Sequence, residues 1–129
     1  LLGNLLENDV IEGFSGNDVL FGTGGKDTVY GGLGNDSIVG DSGQFLLFGE
    51  SGNDAIWGSK GNDTIYGQEG EDLLFGDLGN DQIFGNQDAD IISSGAGEDT
   101  IWAGKGDDLI YGETGNDLLF GNLGVDAVF

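Results

Sequence analysis

A period of nine rules this chain. From Asn4 to Phe129, fourteen nonapeptides follow one another without insertion or deletion. The eighth position is aliphatic in every unit: Ile11, Leu20, Val29, Ile38, Leu47, Ile56, Ile65, Leu74, Ile83, Ile92, Ile101, Ile110, Leu119 and Val128. The sixth is Asp in all units but one, where Phe45 stands. The fourth is Gly except at Glu7 and Asp88, and the first is Gly except at Asn4, Ser94 and Ala103. A short, strict period marks a solenoid, in which each unit buries its apolar side only against neighbouring copies.

The unit Gly58–Tyr66 shows how one copy should behave. Gly58 and Gly61 permit backbone angles that a side chain disfavours, and Asn62 and Asp63 suit turns. Thr64, Ile65 and Tyr66 are β-branched or aromatic and read as a short strand, with Ile65 on one face and its neighbours on the other. The first six residues therefore read as turn and the last three as strand. Helix is excluded, because Gly cuts each possible turn and the apolar spacing is nine. Two nonapeptides per coil put alternate strands into two parallel sheets, with eighth positions meeting inside. Seven coils stacked at the inter-strand spacing make a rod about 34 Å long. The expected fold is thus an all-β parallel solenoid, with 1–129 as one domain.

This coil gathers the aspartates into two columns. One edge carries Asp9, Asp27, Asp63, Asp81, Asp99 and Asp117, interrupted at Phe45. The other carries Asp18, Asp36, Asp54, Asp72, Asp90, Asp108 and Asp126. The formal charge is −21, with three Lys and no Arg. Bare columns of like charge oppose stacking, and one aliphatic residue in nine is a thin core against the entropy of ordering. High charge and high Gly content also favour disorder, so conditional folding is expected. A divalent cation between stacked turns removes the repulsion and ties the coils together. Zinc favours His and Cys, and the chain has neither. Mg²⁺ demands tight octahedral geometry, whereas Ca²⁺ accepts six to eight oxygens in flexible arrangements. Seven coils leave six gaps on each edge, and twelve Ca²⁺ would bring +24 against −21.

The same composition excludes other functions. So anionic a chain does not attract nucleic acid or an anionic membrane. No signal peptide and no apolar run of about 18 residues is seen. Without Cys there are no disulfides, and without His or Cys neither a Ser-His-Asp triad nor a thiol nucleophile exists. The carboxylates recur evenly, whereas a catalytic pair needs two unlike environments. The chain is read as a non-enzyme.

Gly31-Gly32-Leu33-Gly34-Asn35-Asp36-Ser37-Ile38-Val39 matches every fixed position of G-G-x-G-x-D-x-U-x. The units resemble this RTX, or haemolysin-type calcium-binding, nonapeptide over essentially the whole chain. The resemblance implies a right-handed parallel β-roll, with Ca²⁺ held by the sixth-position Asp and backbone carbonyls of adjacent turns. It also implies bacterial one-step export and folding outside the cell. The expected function is a calcium-dependent structural module of a secreted or surface protein, of which this chain is a fragment. The alternative is a recognition module for a partner domain or cell-surface polysaccharide. The second position departs from the family pattern, being Gly only at Gly32, Gly95 and Gly104, which puts the turn geometry in question.

The irregular units carry their own expectations. Asn4–Glu12, with Leu5, Leu6 and Glu7 in place of turn residues, reads as an end cap or junction; a metal site strengthened by Glu7 is the other reading. Phe45 offers no ligand, so the gaps flanking it should hold calcium weakly or not at all; a docking patch with Phe48 is the alternative. Asp88 should distort its turn. Turns with Ser94 and Ala103 should survive, because Gly95 and Gly104 follow. The ninth position is aromatic at Phe21, Tyr30, Phe48, Trp57, Tyr66, Phe75, Phe84, Trp102, Tyr111, Phe120 and Phe129. These should face outward, either as stabilising ladders or as a docking stripe. Thr28, Thr64 and Thr100 alternate with Leu46, Gln82 and Leu118, which argues against an ice-binding Thr ladder.

Overall fold

The computed structural model describes residues 1–4 and 7–129. Each nonapeptide contributes one strand, and among the described residues there is no helix. The strands fall into two seven-stranded parallel sheets. The odd sheet holds alternate strands from Val10–Glu12 to Leu118–Leu123, and the even sheet those from Val19–Gly25 to Ala127–Val128. Register advances one coil, eighteen residues, at a time: Ile65 lies between Leu47 and Ile83, and Ile56 between Ile38 and Leu74. The chain is therefore a parallel β-solenoid of about seven turns.

The core is the eighth-position column. From Leu20 to Ile110 these side chains are fully buried, and Ile11 nearly so. Leu119 and Val128 belong to the last coil described, where Leu119 is only partly covered and Val128 is 48% exposed. Phe45, Ser94 and Ala103 are also buried.

The strands are longer than the sequence suggests. Ala55–Lys60 joins the last three residues of one unit to the first three of the next, and the other central strands do likewise. Within it Ile56 and Gly58 both point inward. A Gly at the first position lets the chain run on without filling the interior. Only positions four to six remain as the turn, which corrects the expected six-residue turn.

The second position adopts the left-handed region whatever residue it holds. Gly32, Gly95 and Gly104 do so, and so do Phe14, Thr23, Asp41, Glu50, Ser59, Gln68, Asp77, Asn86, Glu113 and Asn122. The missing glycines leave the turn geometry intact, at a conformational cost of about 1–3 kcal/mol per residue. Asp88 likewise keeps φ at 70°. Its carboxylate accepts the Gly70 N–H at 3.2 Å, so the turn is held rather than distorted. The Ser94 and Ala103 turns survive through Gly95 and Gly104, whose φ values are 96° and 116°. Leu5 and Leu6 of the first unit lie outside the described residues.

The outward aromatics stack. On the odd sheet Tyr30, Phe48, Tyr66, Phe84, Trp102 and Phe120 form one continuous ladder, with centroids 4.6–5.9 Å apart and planes within 12°. On the even sheet Val39 and Ser93 interrupt it, leaving the pairs Trp57–Phe75 and Tyr111–Phe129. Ladder rings cover one another's faces and turn their edges to solvent. A sugar that stacks on a ring face finds free faces only at the breaks and the ends.

Candidate metal centre

The turn of each unit carries its Asp to the edge of the roll, where the next coil lies directly against it. One carboxylate oxygen, Oδ1, is taken up by the backbone. It accepts the N–H of the sixth-position residue one coil earlier. On the even edge Asp36 accepts from Asp18 at 2.8 Å, Asp54 from Asp36 at 2.7 Å and Asp72 from Asp54 at 2.8 Å. Asp90 accepts from Asp72 and Asp108 from Asp90, each at 2.9 Å, and Asp126 from Asp108 at 3.1 Å. On the odd edge Asp27, Asp63, Asp81 and Asp99 each accept at 2.8 Å, and Asp117 at 3.0 Å.

The other oxygen, Oδ2, has no partner. In Asp18, Asp27, Asp36, Asp54, Asp63, Asp72, Asp81, Asp90, Asp99 and Asp108 it is buried and makes no hydrogen bond. Buried polar atoms almost always find a partner, and an unpaired buried anion is costlier still. The three remaining aspartates sit at the ends of the stack. Asp9 Oδ2 accepts the Asn4 N–H at 2.5 Å. Asp117 and Asp126, in the last coil described, are half-buried.

The orphaned oxygens face small cradles. A Cβ on Gly31 would lie 2.6 Å from Asp36 Oδ2 and 2.6 Å from the carbonyl oxygen of Gly49, one coil on. At Gly58 the corresponding distances, to Asp63 Oδ2 and the Gly76 carbonyl, are 2.6 and 3.0 Å. The same pairing of carboxylate and carbonyl meets at Gly13, Gly49, Gly67, Gly76 and Gly85. The first-position glycine leaves this space open. Ser94 and Ala103 carry a Cβ there, beside Asp99 and Asp108. Ser94 Oγ donates to the Gly112 carbonyl at 3.0 Å.

Burial pushes these carboxyl groups upward from their ordinary value of 3.8. Asp54 and Asp63 rise to about 6, Asp72 and Asp81 to about 7, and Asp90 to about 8. Loss of hydration is the main cause in each, opposed by the backbone N–H. Column neighbours add repulsion at Asp72, Asp81 and Asp90. At Asp63 the added repulsion comes from Asp77 instead, because Phe45 occupies the rung before it. Asp99 and Asp108 are also raised, chiefly by burial.

The donor set fits calcium. Among the described residues no three His, Cys, Asp or Glu side chains gather at one point. A cation here would be held by carboxylate and backbone carbonyl oxygens, with no nitrogen or sulfur. Hard oxygens on two flexible turns match the coordination Ca²⁺ accepts. The family model for the RTX calcium-binding nonapeptide repeat matches overlapping stretches that together span 7–44 and 48–128. The chain belongs to this family. Its RTX units are calcium-binding repeats, and the matched stretches break at 45–47, where Phe45 replaces the aspartate. No curated protein matches the chain.

The fifth-position asparagines do more than suit a turn. Oδ1 of Asn17, Asn35, Asn53, Asn62 and Asn80 each accepts the N–H of the fifth-position residue one coil later, at 2.9–3.2 Å. Asn thus stitches forward along the edge where Asp stitches backward. The recurrence of Asn immediately before Asp was the available signal.

Proposed function

We propose that this RTX roll is a structural module that folds when calcium fills its edges, within an extracellular or surface protein of bacterial origin. The supporting observation is the set of ten buried Asp Oδ2 atoms without a partner. Without metal each is an unpaired buried anion or an unfavourably placed acid. With calcium all but Asp27, whose cradle Phe45 fills, gain their counter-charge. The strongest ligands on the even edge are Asp18, Asp36, Asp54, Asp72 and Asp90, followed by Asp108, whose cradle carries the Ala103 Cβ. On the odd edge the strongest are Asp63 and Asp81, followed by Asp99. First-position carbonyls such as those of Gly49, Gly67 and Gly85 face the same cradles. Asp9 and Asp27 contribute least, because the Asn4 N–H takes Asp9 Oδ2 and the Phe45 ring fills the Asp27 cradle.

Calcium supplies positive charge and a flexible oxygen-coordination shell. The chain's own residues hold the register through the Asp and Asn stitches and exclude water through the aliphatic column. Metal-binding energy is then folding energy. Extracellular calcium modules work at about 10⁻⁴–10⁻³ M, so the chain stays extended at cytosolic calcium and winds up after export. The test is far-UV circular dichroism during a calcium titration from chelator, with Mg²⁺ as control. A cooperative gain of β signal with Ca²⁺ alone supports the reading. A β spectrum indifferent to chelator overturns it.

A further inference from the structure

Phe45 occupies a sixth position and is 3% exposed, within the hydrophobic core. Its backbone stays in register. Its N–H donates to Asp63 Oδ1 at 2.8 Å, and its carbonyl accepts from Thr64 at 2.9 Å. Its ring occupies the space that carboxylate oxygens border elsewhere. Ring atoms lie 2.6 Å from where a Cβ would stand on Gly40, and equally 2.6 Å from that point on Gly22. Gly40 is the cradle of its own unit, and Gly22 that of Asp27. One ring therefore fills two successive cradles.

The turn has changed to suit the ring. Gly43 is the only fourth-position residue after Gly16 outside the left-handed region. The strand Ser37–Gly43 runs one residue longer than its successors, pairs Gly43 with Gly25, and leaves Gln44 N–H bonded to the Gly25 carbonyl at 3.2 Å. A benzene ring offers no ligand oxygen, and a cation pressed against it would lose hydration without compensation.

The structure assigns Phe45 the role of an apolar clasp that replaces two calcium ions with a calcium-independent turn, so that the calcium ladder of the odd edge is interrupted there and resumes at Asp63. This rests on the calcium reading of the aspartate cradles. On the even edge loading runs unbroken from Asp18 to Asp108. On the odd edge it starts afresh at Asp63.

Native mass spectrometry of the whole chain in calcium, with Phe45→Asp and Phe45→Leu beside it, tests the assignment. Phe45→Asp should bind two ions more than the parent chain, and Phe45→Leu the same number as the parent. Equal ion counts in all three proteins overturn the clasp and leave the calcium reading standing. Absence of bound calcium from every protein overturns both. If Phe45→Asp does not fold, a parent count of eleven or twelve overturns the clasp, and a count of ten or fewer supports it.

Discussion

The rung Asp54–Asp72 on the even edge and the rung Phe45–Asp63 on the odd edge share a backbone and differ in one side chain. In both, the sixth-position N–H reaches the Oδ1 of the aspartate one coil later, at 2.8 Å. In the first, Asp54 Oδ2 is left buried and bare at the mouth of a cradle. In the second, a ring closes the cradle without charge. Stitching the coils and neutralising the edge are thus separate tasks. The carboxylate does the first with one oxygen. It leaves the second to a cation, whereas Phe45 brings no charge of its own to neutralise.

The largest expected effect comes from emptying the clasp. Phe45→Ala leaves a cavity across two cradles and should cost about 3–5 kcal/mol, measured by denaturant unfolding in saturating calcium. A loss below 1 kcal/mol would mean that the ring adds little to the edge. Next, Asp72→Asn keeps an oxygen for the N–H stitch but removes the anion. It should lose one calcium ion and weaken that site at least about tenfold, read by isothermal titration calorimetry. An unchanged ion count would detach Asp72 from the metal.

Proton and calcium should compete. The metal-free fold raises Asp54 and Asp63 to about 6, Asp72 and Asp81 to about 7 and Asp90 to about 8, against 3.8 unfolded. The folded chain therefore binds more protons across this window, and its metal-free stability falls as pH rises from about 4 to about 8. Calcium takes the deprotonated carboxylate. Circular dichroism should show the calcium midpoint rising from pH 8 to pH 5 while the chelated chain gains β signal. A midpoint constant over that range contradicts the proposed ligands. The smallest effect belongs to Asp27→Asn. Because Phe45 already fills its cradle, it should leave the ion count unchanged, and loss of an ion would reopen the clasp assignment.

The aliphatic column from Ile11 to Val128, the absence of helix among the described residues, the two sheets and the two aspartate columns were all legible in the sequence. Each follows from a nine-residue period and two units per coil, which is local arithmetic. The continuous aromatic ladder from Tyr30 to Phe120 was legible for the same reason. The six-residue strands were hidden because Gly58 and its equivalents read as turn residues until the interior space they spare is seen. The left-handed second position was hidden at Thr23 and Glu50, whose side chains argue against the angle they adopt. Nor could the sequence say which oxygen of Asp36 is satisfied, or that the ring of Phe45 reaches Gly22 as well as Gly40. Those outcomes depend on atoms eighteen or more residues away along the chain. Only the stacking of coils brings them within a hydrogen bond or a van der Waals radius.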